Sequence, residues 1–217
     1  MNTQKKYWES RFQEEEKIWG NQSSQSAKWA HQFFQKRGNV KRVLVLGAGY
    51  GRNSRFFSQR KYDVSGIEIS TRALKIAVRF DPVTNFYQGS ILDLPSIPEL
   101  NNIRFDAVYG FNVLHLFLKE ERKNILTFTY NLLKSPGYAV FTVFSDKEES
   151  IGKGKYVEYN TFESKPGRPV HYFTEKDLHI HFKYFQIIET KLYEETENHG
   201  RTGFHIHKLY YIALKKP

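Results

Sequence analysis

The chain has 217 residues, of which 40% are hydrophobic and 16% aromatic, a composition that excludes an intrinsically disordered protein. It has no cysteine, which excludes disulfides, cysteine-ligated metal centres and a cysteine nucleophile. The formal net charge is +10, but the lysines and arginines are scattered, so a solvated basic surface is favoured over a nucleic-acid-binding stripe. No apolar run has the length of a signal-peptide core or a membrane span, so we expect a cytoplasmic location and no membrane contact.

Residues 1–40 are predicted to form a helical cap ahead of the first strand. The run Ser23-Ser24-Gln25-Ser26 can cap a helix that ends before Gly38. Two tryptophans in this segment allow two interpretations. Either Trp19 folds over a ligand, or Trp8 and Trp19 both pack against the sheet, since either arrangement buries an indole.

A glycine-rich turn follows a short apolar strand and precedes a helix. Its glycines are spaced Gly47-x-Gly49-x-Gly51. Glycine lets the backbone lie close to a ligand where a Cβ atom would clash, and the N–H groups of the helix favour a polar or anionic ligand group. The next strand ends in Glu68, at the place where a doubly wound sheet binds the hydroxyls of a ribose. Together these features predict a site for a nucleoside cofactor.

Strands and helices alternate after this turn, which predicts an α/β fold with a parallel sheet and helices on both faces. The predicted strands cover residues 42–47, 62–68, 84–88, 105–111 and 137–145, and the predicted helices cover residues 51–60, 70–79 and 118–134.

Residues 145–170 break the alternation, because they are polar and contain several glycines and prolines. They leave the sheet at the carboxyl ends of the parallel strands, where open α/β sheets bind ligands, so we predict a long lid or acceptor-binding loop. The tail is predicted to contain a helix at residues 174–182 and an antiparallel hairpin whose strands cover residues 183–193 and 203–214.

Four motifs, in order along the chain, resemble the class I S-adenosylmethionine-dependent methyltransferases. The first is the glycine-rich turn followed by Glu68; its third glycine comes one residue earlier than in a dinucleotide-binding turn. The others are similar to the family's third strand, fourth strand and turn into the fifth, and they occupy residues 86–95, 105–115 and 133–141. The resemblance implies a Rossmann-like, doubly wound sheet of seven mostly parallel strands, with one antiparallel strand and an N-terminal helical extension.

On this basis we predict a single methyltransferase domain, as a monomer or homodimer. Its predicted parts are a cap, a cofactor-binding core, a lid segment, and a C-terminal helix with a hairpin, at residues 1–40, 41–145, 146–173 and 174–217.

The resemblance also implies which residues bind S-adenosylmethionine. The methionine part would lie at the glycine-rich turn and the ribose at Glu68. The implied set is Gly47, Ala48, Gly49, Arg52, Asn53, Glu68, Ile69, Ser90, Ile91, Leu92, Phe111 and Asn112. Val45 and Ser90 depart from the pattern, because many family members have acidic residues at these two positions.

Histidines surround the predicted cleft. His115 follows the fourth strand, His171 follows the turn-rich part of the lid, and the last hairpin holds three more, His199, His205 and His207. One could act as a general base, several could bind a metal, or each could be packed locally. We predict no metal. The predicted catalytic residues are His115, His171 and Tyr172, and the predicted acceptor-binding residues are Trp19, Arg168, His205 and His207.

The predicted function is transfer of a methyl group from S-adenosylmethionine to a small molecule. An RNA or protein methyltransferase is the alternative that the net charge favours. A non-catalytic nucleoside-binding protein is the alternative that Val45 and Ser90 favour. The glycine spacing disfavours a nicotinamide-dependent oxidoreductase, and the absence of Asp-Pro-Pro-Tyr after the fourth strand and of cysteine argues against methylation of DNA bases.

Overall fold

The structure, a computed structural model, describes residues 3–198 and 203–217. Two sheets are built from ten strands in these residues. The strands are β1 (Arg42–Leu46), β2 (Asp63–Glu68), β3 (Asn85–Gln88), β4 (Phe105–Phe111), β5 (Leu133–Phe144), β6 (Lys155–Glu158), β7 (Thr161–Lys165), β8 (Arg168–His171), β9 (Gln186–Asn198) and β10 (Phe204–Lys216).

The main sheet has seven strands in the order β3-β2-β1-β4-β5-β10-β9. β1 pairs in parallel with β2 on one side and β4 on the other. β10 runs antiparallel to both of its neighbours, β5 and β9. The strand order reverses at β1, so the glycine-rich turn after β1 lies at the point where doubly wound sheets bind ligands. The predicted Rossmann-like sheet with one antiparallel strand is confirmed.

Helices cover both faces of this sheet because successive residues of a strand point to opposite sides. Val43 and Val45 of β1 pack with Phe34 and Phe57 on one face, whereas Leu44 packs into the larger cluster on the other. None of the helices in the described part of the chain is long and apolar enough to cross a membrane. The helices are α1 (Thr3–Glu14), α2 (Gln25–Gln35), α3 (Arg52–Ser58), α4 (Thr71–Phe80), α5 (Lys119–Leu132) and α6 (Glu175–His181), with short 3₁₀ turns at Ile91–Ser96, Pro98–Leu100 and Leu114–Leu116.

The N-terminal segment contains two helices, joined by a loop that carries Trp19. Ser24 caps α2, because its Oγ atom accepts a hydrogen bond from the N–H of Ala27 at 3.1 Å. The same Ser24 Oγ lies 2.9 Å from the hydroxyl of Tyr109 on β4, so the cap residue also ties α2 to the sheet.

The predicted long loop at residues 145–170 is corrected by the structure, which shows a second, three-stranded antiparallel sheet in the order β6-β7-β8. Its strands have four or five residues, and β6 is largely exposed. Such short strands lack the alternation of apolar and polar residues by which a strand is recognised. Val170 and Phe173, by contrast, are buried in the main core, so the small sheet is anchored to the domain at β8.

The last two strands are longer than predicted, and the difference adds residues to the site described below. β9 continues to Asn198, where a loop was predicted from a run of charged residues. Glu195 and Glu197 in this extension are buried on one face, opposite His207 and His205 of β10. Charged residues on a buried face reverse the hydrophobic pattern, and so the sequence did not indicate a strand here.

Candidate functional site

A cavity lies at the carboxyl ends of the central parallel strands, where residues of α1, of the loop after it and of β8 also line it. It contains about 1050 Å³ of space, part of which is open to solvent. Most of the predicted site residues line it. These are Trp19, Gly47, Ala48, Gly49, Arg52, Asn53, Glu68, Ile69, Ser90, Ile91, Phe111, Asn112, His115, Arg168 and His207.

The glycine-rich turn forms the floor of the cavity. Gly47, Gly49 and Gly51 have φ angles of +62°, +57° and +86°, a region that side chains rarely adopt. A Cβ atom on Gly47 would come within 2.8 Å of Cγ2 of Val113. The floor therefore requires glycine both for the backbone angle and for the close approach of the chain after β4.

Glu68 stands at the end of β2 with its carboxylate at the cavity wall. Oε2 accepts the N–H of Gly49 at 2.8 Å and Oε1 accepts the N–H of Ser70 at 2.7 Å. Burial raises the pKa of this carboxyl group, against the lowering effect of the backbone hydrogen bonds. Each carboxylate oxygen can accept a further hydrogen bond, so the group can bind two hydroxyls while it holds the turn in place.

Helix α1 lies over the same side of the cavity. Glu9 accepts the N–H of Thr71 at 2.6 Å, at the start of α4. Burial of Glu9 raises its pKa, but these backbone hydrogen bonds outweigh that effect, and the pKa lies below its ordinary value. The contact holds α1 so that Trp8 and Phe12, four residues apart on one helix face, line the cavity.

A buried ion pair crosses the cavity wall between Arg52 of α3 and Glu197 of β9. Burial opposes the charge of Arg52, but the Glu197 carboxylate outweighs it, and the pKa of Arg52 is raised. The guanidinium also lies over the rings of Trp19 and Phe111, 5.4 and 5.3 Å from their centroids. The pair joins the cap, the glycine-rich turn and the last hairpin at one point.

Three rings stack at the end of β5, with Phe144 in the middle. The ring centroid of His115 lies 4.2 Å from that of Phe144, and the centroid of His207 lies 5.0 Å from it. Burial, and after it the charge of Arg168, holds the pKa of His115 well below its ordinary value, so this histidine is neutral near pH 7. Nδ1 of His207 donates to Oε1 of the buried Glu148 at 2.8 Å.

Four of the predicted site residues do not line the cavity. His171 is buried behind the wall, where Nδ1 lies 2.9 Å from the Thr161 hydroxyl and burial lowers its pKa to about 2. The hydroxyl of Tyr172 donates to the carbonyl of Ser150. The other two are Leu92 and the exposed His205. His205 is nearer the tip of the last hairpin than His207, where it pairs with Glu197 of β9. The predicted rim residue His199 is outside the described residues.

Several cavity residues were not anticipated from the sequence, among them Trp8, Phe12, Tyr50, Phe144 and Glu197. The spacing of Trp8 and Phe12 was an available helical signal. Glu197 had no local signal, because its partner Arg52 is far away in sequence. Within residues 3–198 and 203–217, no group of three or more histidine and acidic side chains comes together in a way that could hold a metal ion.

The residues present fit S-adenosylmethionine. Gly47 and Gly49 present bare backbone to the cavity, and the carboxylate of Glu68 at its wall can accept hydrogen bonds from the ribose hydroxyls. The aromatic rings of Trp19 and Phe111, both at the cavity wall, suit a positively charged sulfonium. Ser90 also lines the cavity, but its hydroxyl accepts the N–H of Leu92 at 3.2 Å, which caps the first 3₁₀ turn.

Replacing Gly47 by alanine is expected to lower both the stability of the protein and its affinity for S-adenosylhomocysteine. The substitution adds roughly 1–3 kcal/mol of backbone strain, and the new Cβ atom meets the stiff side chain of Val113. Urea unfolding and calorimetric titration measure the two effects. Gly152→Ala is the matched control, because Gly152 has a φ of +79° with no atom within 4 Å of a Cβ atom. If both variants bound the ligand like the wild type, the floor would have no part in binding.

Residues 43–137 match the model of a protein family described as a methyltransferase domain. No curated protein sequence matches the chain significantly.

Solved structures of methyltransferases are similar to the chain over nearly its whole length. One is an S-adenosylmethionine-dependent methyltransferase from Anabaena variabilis (TM-score 0.74, 16% identity, covering 98% of this chain and 93% of that one). Another is the 1,6-didemethyltoxoflavin-N1-methyltransferase of Burkholderia thailandensis (TM-score 0.71, 18% identity, coverage 98% and 86%). A third is the magnesium protoporphyrin IX methyltransferase of Synechocystis (TM-score 0.67, 14% identity, coverage 98% and 95%). At these identities the likeness establishes a common fold.

Proposed function

We propose that the chain is a class I S-adenosylmethionine-dependent methyltransferase that transfers the methyl group to a small-molecule acceptor; the methyltransferase-domain match and the shared fold support the first part. The observation that carries the proposal is the cover over the cavity. Helix α1, Trp19 and Arg168 at the start of β8 line the cavity together with the glycine-rich floor, so segments outside the central sheet enclose part of it. A small ligand fits a concave, aromatic-lined site of this size, whereas a polymer needs an open groove.

The part of the chain that binds the cofactor needs only to hold it in position for methyl transfer. S-adenosylmethionine supplies a methyl group that is already activated by the sulfonium. The chain's own part is therefore to hold both ligands in line and to keep water out, which can supply much of the rate acceleration. On this proposal Glu68 binds the ribose, Gly47 and Gly49 line the methionine part, and Asn112 borders the reacting carbon.

We assign Trp19, His115, Arg168 and His207 to the acceptor side, since all four line the cavity. Nδ1 of His115 faces the N–H of Phe144 at 3.4 Å, so the proton of the neutral ring belongs on Nε2. With its proton on Nε2, His115 can donate a hydrogen bond to the molecule that receives the methyl group. His171 and Tyr172 face the small sheet instead of the cavity, and we assign them to the packing of that sheet.

The names of two structural neighbours support a small acceptor, since one methylates 1,6-didemethyltoxoflavin and the other magnesium protoporphyrin IX. The RNA or protein alternative rests on the net charge of +10. The cytoplasmic location and the monomer or homodimer state stay predictions from the sequence.

The proposal is tested by giving the protein S-adenosylmethionine with a radiolabelled methyl group, together with separated fractions of a cell extract. We expect label in the small-molecule fraction and none above background in the RNA and protein fractions. Glu68→Gln, which should bind the cofactor more weakly, serves as the control with reduced labelling, and mass spectrometry of the labelled compound identifies the product. Label in RNA or protein would overturn the proposed acceptor class, and failure to bind S-adenosylhomocysteine would overturn cofactor binding itself.

A further inference from the structure

Arg168 is the cation of the cavity wall that forms no ion pair within the described residues. It begins β8, directly after Gly167 in the turn from β7, and it lines the cavity. Its guanidinium lies against the ring of Tyr7 on α1, 6.0 Å from the ring centroid. Its Nε atom is buried and has no hydrogen-bond partner in residues 3–198 and 203–217.

The other charged groups of the wall have partners within the protein. Arg52 pairs with Glu197, and Glu68 accepts two backbone N–H groups. A buried donor of a charged group that lacks a partner is destabilising. Arg168 therefore differs from the rest of the wall, in that a ligand can complete its hydrogen bonding.

The strand order places Arg168 away from the cofactor-binding side. Glu68 ends β2, whereas Phe144 and His207 belong to β5 and β10, on the other side of β1. β8, which Arg168 begins, contacts the 3₁₀ turn that carries His115, and His115 lies against Phe144. These neighbours put the guanidinium on the acceptor side of the cavity, beside stacked rings.

Taking the proposed methyltransferase function as given, we infer that the acceptor is a small aromatic acid and that Arg168 binds its carboxylate. Two nitrogens of a guanidinium form a planar fork that matches the two oxygens of a carboxylate. The neighbouring rings of Phe144 and His115 suit a flat acceptor body. The anion also reduces the positive charge of a cavity that holds both the guanidinium and a sulfonium.

The test is calorimetric titration of the protein, saturated with S-adenosylhomocysteine, with benzoate, 3-phenylpropionate and indole-3-acetate, each compared with its primary amide. We expect the acids to bind about tenfold more tightly than the amides. In Arg168→Gln this preference should disappear, and in Arg168→Lys it should persist in part, because lysine keeps the charge without the fork. Lys165→Gln is the matched control, since Lys165 is exposed and lies opposite Arg168 in the β7–β8 pairing.

Three results would overturn the inference: equal binding of acid and amide, no saturable binding of any of the acids, or an unchanged preference in Arg168→Gln. Thermal unfolding of each variant shows whether it is folded. Binding of S-adenosylhomocysteine, measured first, separates this inference from the proposed function. If that ligand binds and the acids show no preference, only the carboxylate site fails; if it does not bind, the methyltransferase function fails and the inference falls with it.

Discussion

Glu68→Gln is expected to weaken the binding of S-adenosylhomocysteine about a hundredfold, since hydrogen bonds to a charged group contribute about 1.5–3 kcal/mol each. Glutamine has one acceptor oxygen, whereas the carboxylate already accepts the N–H groups of Gly49 and Ser70. The amide would therefore turn its own N–H₂ towards one of these donors. The ligand loses a charged acceptor, and the glycine-rich turn loses one of its restraints.

Calorimetric titration measures this effect, with Asp63→Asn as the control. Asp63 begins the same strand, is exposed and pairs with Arg42 on the surface. The same change from carboxylate to amide at that site should leave the affinity unaltered. A role for Glu68 in binding would be ruled out if both variants bound S-adenosylhomocysteine like the wild type.

The affinity should also depend on pH in a direction set by Glu68. Burial raises the pKa of this carboxyl group in the ligand-free protein, and ribose hydroxyls donate to the ionised form, so the affinity falls as the pH drops through that raised pKa. The group's own effect on folding has the opposite sign: a raised folded-state pKa gives stability at low pH that is lost as the pH rises through it. Titrations over a pH series should show the binding slope in the wild type and a flatter slope in Glu68→Gln.

Arg52→Met is expected to destabilise the protein by roughly 3–5 kcal/mol, because it leaves Glu197 buried without its partner. The side chains of the pair are only 9% and 5% exposed. Methionine keeps some contact with the rings of Trp19 and Phe111 but has no charge. Arg52→Met combined with Glu197→Met should recover much of the loss, since no buried charge remains.

Urea unfolding of the single and double variants gives the coupling energy of the pair. Arg42→Met is the control, because the Arg42–Asp63 ion pair has a distance of 3.0 Å but side chains 44% and 52% exposed. Its loss should cost no more than about 1 kcal/mol. The prediction is wrong if the losses of unfolding free energy in the two single variants add up to the loss in the double variant. It is also wrong if Arg42→Met loses as much stability as Arg52→Met.

Local patterns were enough to predict the central sheet and the floor of the site. Gly47, Gly49 and Glu68 could be placed at the cavity from the sequence because the glycine-rich turn and the end of the next strand belong to a single β-α-β unit. Topology also placed His115 and His207 at the cleft, since the end of β4 and the start of β10 meet at one edge of the sheet.

The remaining features depend on contacts between distant parts of the chain. Glu197 looked like a loop residue, and only its burial against Arg52 reveals the continuation of β9. The small sheet was taken for a loop because its short strands gain their stability from the main core. His171 was placed at the cleft because sequence order cannot say which side of β8 a side chain takes, and the structure turns it towards Thr161.

The positions of the three tryptophans allow ligand binding to be followed by the intrinsic fluorescence of the protein. Trp8 and Trp19 line the cavity with their ring centroids 6.3 Å apart, whereas Trp29 lies outside it, against Phe33 and Tyr211. A ligand that enters the cavity changes the surroundings of two indoles and leaves the third as an internal reference. The intrinsic fluorescence of the unlabelled protein can therefore follow occupancy of the site in real time, and single Trp→Phe variants can separate the signal of the α1 cover from that of the loop behind it.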